Sequence, residues 1–265
     1  MDSYEIIKTL LSGFFGALFM YLISEFKEQR ARAKLKFKSE ILRYYYEKSV
    51  RVGLIVEYVK GKLPVSNATS YLTIYVEKNK NKINTIPRTI LPEKRYYACA
   101  LNCYLCKNSQ YLSSYDKAEV LTEVLPWAVP ISVGKGLNGL EYHHLAYIPT
   151  NGSSKLLLFD LYRCIKDDKE FYLIKVHSEY GCDLYPRICL KLPLKQLEEM
   201  DAIIFEVFAT GENVREEARV SLRIEYDRAS GDYVLVYEDK KYFFNEILEG
   251  RKVEFRPKVE SISSP

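Results

Sequence analysis

Three of the six cysteines in this 265-residue chain are the residues whose spacing points most directly to chemistry. Cys99, Cys103 and Cys106 follow the pattern Cys-x3-Cys-x2-Cys. Thiolates are the usual ligands of iron–sulfur clusters, and three of them at this spacing can hold three irons and leave the fourth iron open. The trio therefore supports one hypothesis for function, a metal- or cluster-dependent enzyme.

The cysteines have three other interpretations. A structural zinc ion would be held by the trio together with one of Cys164, Cys182 or Cys189. Disulfides are the second interpretation, because intracellular disulfides occur in hyperthermophiles, and burial as small apolar side chains is the third. Radical SAM enzymes use the same spacing but have an aromatic residue directly before the last cysteine, where this chain has Leu105, and no βαβ succession follows. We expect no cofactor, with structural zinc as the alternative.

The three histidines do not form a recognisable catalytic or metal-binding motif. His143 and His144 are neighbours on a predicted strand, so their side chains point to opposite faces, and His177 ends another predicted strand. The sequence contains no His-Glu-x-x-His, no Gly-x-Ser-x-Gly and no P-loop. We therefore predict no catalytic residues, and the sequence favours a protein that is not an enzyme.

The elements that must position these residues are mostly strands. The chain has 23 tyrosines, which fit the half-buried surface of sheets. Apolar and polar residues alternate at residues 34–38, 71–76 and 220–226, and turn residues separate further apolar runs that predict strands, residues 242–244 among them. Only residues 193–200 of the body show a helical pattern. The fold class is therefore predicted as mostly β, an antiparallel β-sandwich body over residues 33–260 with a possible internal boundary at residues 164–169.

The first 26 residues are predicted to be a transmembrane anchor. Residues 6–24 contain a single charge, Lys8, and about 20 apolar residues in a helix span a bilayer core. Asp2 and Glu5 make the start acidic, and residues 21–25 offer no small-x-small site, which argues against a cleaved signal peptide. Large apolar residues occupy all sides of the predicted helix, which argues against an amphipathic helix that lies on a surface. A buried core helix is the remaining alternative.

A basic juxtamembrane segment, residues 27–43, follows the anchor. Its seven basic and two acidic residues give it a net charge of +5, whereas the whole chain has +4. Basic residues next to a span stay on the cytoplasmic side, so the body is predicted to be cytoplasmic and the protein a single-pass protein of the cell membrane. Lys27, Arg30, Arg32 and Lys34 are predicted to face anionic lipid, and the alternative is a solvated segment that only fixes the topology. The nearly neutral remainder of the chain argues against a nucleic-acid partner.

Small residues are spaced for close helix packing within the anchor. Ser12 and Gly16 are four residues apart, as are Gly13 and Ala17. Pairs at this spacing let two membrane helices approach closely. The sequence therefore predicts a weak homodimer through the helix.

One resemblance covers the order of elements after the anchor. A strand, an Asn-Ala-x-x-Tyr-Leu segment, a Leu-Pro-Trp and an Ile-Pro turn leading into a Leu-rich strand resemble membrane-anchored β-sandwich proteins of unknown function found in archaea and bacteria. The matching residues are Asn67, Ala68, Tyr71, Leu72, Leu125, Pro126, Trp127, Ile148, Pro149, Asn151, Gly152 and residues 156–159. These are packing and turn positions, so the resemblance implies a fold and no chemistry, and Trp127 is expected in the core.

Two functions follow as expectations. The first is an interaction or scaffolding module on the cytoplasmic face of the membrane, with the lipid bilayer and an unidentified protein as partners. The second is a metal- or Fe–S-dependent membrane-bound enzyme built on the cysteine trio. The chain has only three glutamines among many Lys, Glu and Ile residues, a composition typical of hyperthermophiles, so an archaeal thermophile is the expected source.

Overall fold

The computed structural model of the chain describes residues 3–83, 121–130, 140–143, 145–166, 168–177, 188–197 and 200–254. A long N-terminal helix, α1 (Ser3–Ala31), leads almost directly into the first strand, and a short helix, α2 (Phe244–Leu248), lies near the C-terminus. The rest of the described chain is mostly strand, so the prediction of a mostly β protein is confirmed.

Two sheets contain the strands. The first sheet has the order β11-β10-β9-β2-β1-β13, with β6, β7 and β17 attached to it. Its strands are β1 (Ala33–Tyr45), β2 (Val50–Lys60), β6 (Trp127–Pro130), β7 (Leu140–His143), β9 (Ser153–Lys166), β10 (Lys169–Val176), β11 (Cys189–Pro193), β13 (Val214–Glu216) and β17 (Val253–Glu254).

The second sheet has the order β16-β15-β14-β12-β3-β4, and both β5 and β8 also pair with β3. Its strands are β3 (Val65–Lys78), β4 (Asn81–Ile83), β5 (Leu121–Val124), β8 (Ala146–Ile148), β12 (Ala202–Glu212), β14 (Ala218–Asp227), β15 (Asp232–Tyr237) and β16 (Lys240–Phe243). The described ladders are antiparallel except for β1 with β13 and β17 with β9.

Side chains from both sheets form one hydrophobic core. In β3 the period-2 pattern of the sequence sends Leu72, Ile74 and Val76 inward, and each is fully buried. Across the core, Phe159 of β9 meets Phe205 of β12 edge to face, with ring centroids 5.6 Å apart. Trp127 is fully buried in the same cluster, as the sequence indicates.

A polar contact also joins the two sheets. The hydroxyl of Tyr172 on β10 donates to Asp232 on β15 over 2.7 Å, and the backbone N–H groups of Tyr233 and Asn245 donate to the same carboxylate. The carboxylate is thus saturated with donors although it is buried. This contact fixes the start of α2 against the first sheet.

Two local predictions were wrong. Pro193 ends strand β11, and the described residues after it, 194–197 and Met200, are not helical. Phe244 begins α2 instead of ending a strand. Both segments pack large apolar residues against the core, so a short apolar run without clear periodicity did not distinguish strand from helix. Residues 164–169 form the end of β9, its turn and the start of β10, with Asp167 outside the described residues.

Candidate functional site

The surface of α1 is the first candidate site. Its large apolar side chains from Phe14 to Phe26 are exposed, except the half-buried Ile23, and Phe15 and Phe19 leave 62% and 63% of their surface uncovered. None of the described side chains of α1 belongs to the hydrophobic core. Within the part of the chain that the structure describes, no helix is both long and apolar enough to cross a membrane.

The predicted anchor residues all lie in α1. Lys8 and Ser12 lie in its first half, where side chains are outside the described set. Gly13, Gly16 and Ala17 are exposed, and a Cβ added at either glycine would meet nothing within 4 Å. The small-residue face is therefore free of contacts with the body of the same chain.

The predicted basic residues are divided between the end of α1 and the start of β1. Lys27 and Arg30 are exposed in the last turns of the helix. The Arg32 guanidinium lies 3.0 Å from Glu28, one helical turn earlier, and Lys34 is exposed on β1. These basic residues therefore lie on both sides of the junction between α1 and β1.

Backbone hydrogen bonds attach the end of α1 to the turn that connects the two sheets. The carbonyl oxygen of Ala31 accepts hydrogen bonds from the N–H groups of Lys62 (2.8 Å) and Leu63 (3.2 Å). Both belong to the turn between β2 and β3, residues 61–64, which we call the root turn. Gly61 has φ +136°, and a Cβ there would lie 2.7 Å from the carbonyl oxygen of Arg32. The root turn thus satisfies a helix-terminal carbonyl that would otherwise lack a partner.

A buried cluster of charges is the second candidate site. Arg51 on β2 and Asp160 on β9 are paired in the ladder, and Nε and Nη2 of Arg51 lie 2.8 and 3.1 Å from the two carboxylate oxygens of Asp160. Nε2 of His177 lies 3.1 Å from Oδ1 of the same carboxylate. Asp160 is only 2% exposed, and its two partners are buried as well. We call these three residues the ion cluster.

Strand alternation places the ion cluster on the outer face of the first sheet. The neighbours Val52, Phe159 and Val176 belong to the core on the inner face. Lys175 is the ladder partner of Asp160 on β10 and is also buried. The outer face of this sheet therefore holds charge in a buried environment.

Electrostatics keep Asp160 ionised. Burial alone raises the pKa of its carboxyl, but the charge and hydrogen bond of His177, followed by the Arg51 guanidinium, outweigh burial and hold the pKa well below its usual range. Burial and the negative charge of Asp160 raise the pKa of the nearby Tyr162 phenol. The ion cluster thus joins β2, β9 and the residue after β10 through one carboxylate that is ionised at neutral pH.

The sequence analysis did not select Arg51, Asp160 or Lys175. The signal was present, because each is a charged residue inside an otherwise apolar run of strand length. A charge within a buried strand needs a partner, since an unpaired buried charge is very costly. His177 was noted only as the end of a strand, and no pattern linked it to Asp160.

The cysteine trio, Cys99, Cys103 and Cys106, lies outside the described residues, as does Cys182. Cys164 and Cys189 are buried, and burial raises the pKa of Cys164 to about 12. A thiol with this pKa stays protonated and is a poor metal ligand. Of the other histidines, His144 lies outside the described residues and His143 is described by its backbone in β7 alone. The described residues contain no group of three His, Cys, Asp or Glu side chains arranged for a metal ion.

Comparison of the chain with protein-family models, with curated proteins and with solved structures gave no match.

Proposed function

We propose that this chain is a single-pass protein of the cell membrane, in which α1 anchors a cytoplasmic β-sandwich that acts as an interaction or scaffolding module. The observation that carries the proposal is the exposure of the large apolar side chains of α1 between Phe14 and Phe26. Soluble proteins rarely leave a contiguous apolar surface of this kind in water. A bilayer is an environment in which exposed apolar side chains of a helix are stable.

The length of the helix supports a position across the bilayer. The apolar run of residues 6–24 has a rise of roughly 28 Å at 1.5 Å per residue, close to the ~30 Å of a bilayer core. Lys8 lies near the start of the run, where its long side chain reaches the interface. Because the exposed Lys27 and Arg30 follow the run, the positive-inside rule favours a cytoplasmic body.

The two sheets support the role of the body. They share one core, so the body buries its own apolar faces without help from α1. The ion cluster adds a fixed charge network that holds three strands in register. A rigid two-sheet body on a membrane tether suits a protein that presents surfaces to a partner.

The alternative function, a metal- or Fe–S-dependent enzyme, rests on the spacing of Cys99, Cys103 and Cys106. Metal analysis and a visible absorption spectrum of anaerobically purified protein distinguish the two. Stoichiometric iron with a charge-transfer band would favour the enzyme. Protein without metal favours the interaction module.

Replacing Phe15 by arginine tests the anchor. Phe15 lies near the centre of the apolar run, and a charged side chain at the centre of a membrane helix costs roughly 3 kcal/mol, or about a hundredfold in insertion. We expect Phe15→Arg to move the protein from the carbonate-resistant membrane fraction to the supernatant.

Tyr45→Arg is the matched control. Tyr45 is also an exposed aromatic residue, but it ends β1 at the far side of the body from α1. This variant should stay in the membrane fraction. Wild-type protein that is extracted by carbonate would contradict the proposal.

The small-residue face of α1 leads us to propose a weak homodimer in the membrane. Gly13→Ile with Gly16→Ile fills that face, and a Cβ added at either position meets nothing within 4 Å among the described residues. Association of membrane helices of this kind is worth on the order of 1 kcal/mol, so crosslinking of the wild type should depend on its density in the bilayer and fall in the double variant.

The control for this experiment is Leu18→Ile with Leu22→Ile. At 100° per residue these positions lie on the opposite face of α1, so crosslinking should be unchanged. Equal crosslinking of the glycine variant and the wild type would show that the small-residue face makes no dimer.

A further inference from the structure

We propose that the membrane-proximal end of the body also docks on the surface of an anionic bilayer, through the root turn and the end of β2. This inference rests on the proposed function, because it requires α1 to be in the bilayer. The side chains that carry it are Val59, Lys60, Lys62 and Leu63, with Tyr147 beside them.

The chain trace places these residues at the end of the body nearest to the membrane. Strand β1 runs away from the end of α1, and the antiparallel β2 returns to it, finishing at Lys60. The root turn then touches the helix end, where Lys62 and Leu63 bond to the carbonyl oxygen of Ala31. Strand β8, which carries Tyr147, pairs with the start of β3 just after the root turn.

The apolar residues at this end are exposed although the body has a core to bury them. Val59 is 52% exposed. Lys34 pairs with Lys60 and Leu35 pairs with Tyr58, so the register shift between β1 and β2 leaves Val59 without a partner in this ladder. Leu63 and Tyr147 are 38% and 62% exposed.

Hydrogen bonds of the backbone hold the root turn in place. The carbonyl oxygen of Leu63 accepts a hydrogen bond from the Tyr58 hydroxyl over 3.0 Å, and the N–H of Leu63 donates to the carbonyl oxygen of Ala31. The backbone of Leu63 is therefore held in place, while its side chain is exposed to the surroundings.

Distance along α1 places this end just outside the lipid headgroups. The seven helical residues that follow the apolar run, 25–31, have a rise of about 10 Å, while the headgroup region is roughly 5–8 Å thick on each side. Membrane helices are tilted on average by about 20°, which brings one side of an attached body closer to the surface.

Exposed lysines flank the apolar residues at this end. Lys60 and Lys62 are exposed beside Val59 and Leu63. The acidic Glu212 and Glu216 lie at the same end, where Glu216 is the ladder partner of Lys34 and Glu212 accepts hydrogen bonds from Ser66 and Asn67. The lysines that an anionic surface would attract are therefore Lys60 and Lys62.

The test uses the full chain reconstituted in phosphatidylcholine vesicles, with and without phosphatidylglycerol, and with lipids brominated near the headgroup end of the acyl chain as a quencher. Trp127 is the only tryptophan and is fully buried, so its emission provides the baseline and a check on folding. Leu63→Trp adds a probe at the proposed contact. Tyr45→Trp adds one at the far end of β1.

We expect the added emission of Leu63→Trp to be quenched in vesicles with phosphatidylglycerol, and that of Tyr45→Trp to be unaffected. Each basic residue near an anionic surface strengthens attachment by roughly fivefold, so adding Lys60→Glu and Lys62→Glu should reduce the quenching while the chain still floats with the vesicles.

Flotation separates the two proposals. Chains that float while Leu63→Trp is quenched no more than Tyr45→Trp would overturn the docking surface and leave the anchor intact. Quenching that is equal with and without phosphatidylglycerol would overturn the charge-directed contact. Chains that do not float would overturn both the anchor and the docking surface.

Discussion

Replacing Asp160 by asparagine is expected to lower the free energy of unfolding by about 3–5 kcal/mol, the range for removing one partner of a buried ion pair. The substitution keeps the shape of the side chain but removes the charge that faces Arg51 and His177. Arg51 would remain buried with its opposite charge lost. Urea unfolding of the full chain in detergent micelles measures the change.

Two further variants distinguish the effect of losing the Asp160 charge from a general loss of stability. Asp168→Asn makes the same chemical change at an exposed turn residue and should alter stability by less than about 0.5 kcal/mol. Arg51→Met combined with Asp160→Leu and His177→Leu replaces the whole ion cluster by apolar groups and should be far closer to wild type than Asp160→Asn, because no member of the cluster then stays buried opposite a lost partner. If Asp160→Asn is as stable as Asp168→Asn, the ion cluster does not stabilise the fold.

The same carboxylate predicts a dependence on pH. The pKa of Asp160 is lowered in the folded protein, so its stabilising contribution is complete above the pKa of about 4 in the unfolded chain and is lost as the pH falls further toward the folded pKa. The difference in stability between wild type and Asp160→Asn should therefore shrink as the pH falls below about 4. A difference that grows on acidification would contradict the lowered pKa.

Truncation of Trp127 to alanine is expected to destabilise the protein by roughly 3–5 kcal/mol, through lost burial and the cavity that remains. Trp127 is one of the largest fully buried side chains of the described core. It lies at the start of β6, where it pairs with Leu156 of β9, so the cavity would open beside the central strand of the first sheet. Chemical unfolding measures this loss.

Trp127→Phe is the informative companion variant. Nε1 of Trp127 is buried without a hydrogen-bond partner among the described residues, and such a group carries a desolvation cost of about 1–3 kcal/mol. Phenylalanine keeps most of the apolar surface and removes the unpaired N–H, so it should cost much less than alanine. A loss with Trp127→Phe as large as with Trp127→Ala would show that the indole N–H is satisfied in the protein.

The sequence by itself determined the class of the protein and the helix at its start. Alternation of apolar and polar residues predicts strands because side chains of a strand point alternately to two faces, and residues 71–76 follow this rule throughout. The apolar run before residue 25 predicts a helix at the start of the chain, and α1 continues beyond the predicted boundary at residue 26 to Ala31. Both are local properties, which neighbouring residues fix without reference to the rest of the chain.

Short segments at the C-terminal side of the body were less predictable. Residues 193–200 and 242–244 each have a few apolar residues, too few to define a period. Packing against the core decided their conformation, and α2 forms where Phe244, Ile247 and Leu248 can be buried together.

The ion cluster and the contact between the root turn and the end of α1 could be found only from the tertiary structure. Arg51 and Asp160 are 109 residues apart, and they meet because β2 and β9 are neighbours with a register that a shift after Val52 sets. The bonds from the root turn to Ala31 likewise depend on the return of β2 to the start of β1. Sequence patterns report which residues are apolar and how they repeat, whereas the pairing of distant strands depends on how all of their faces are buried at once.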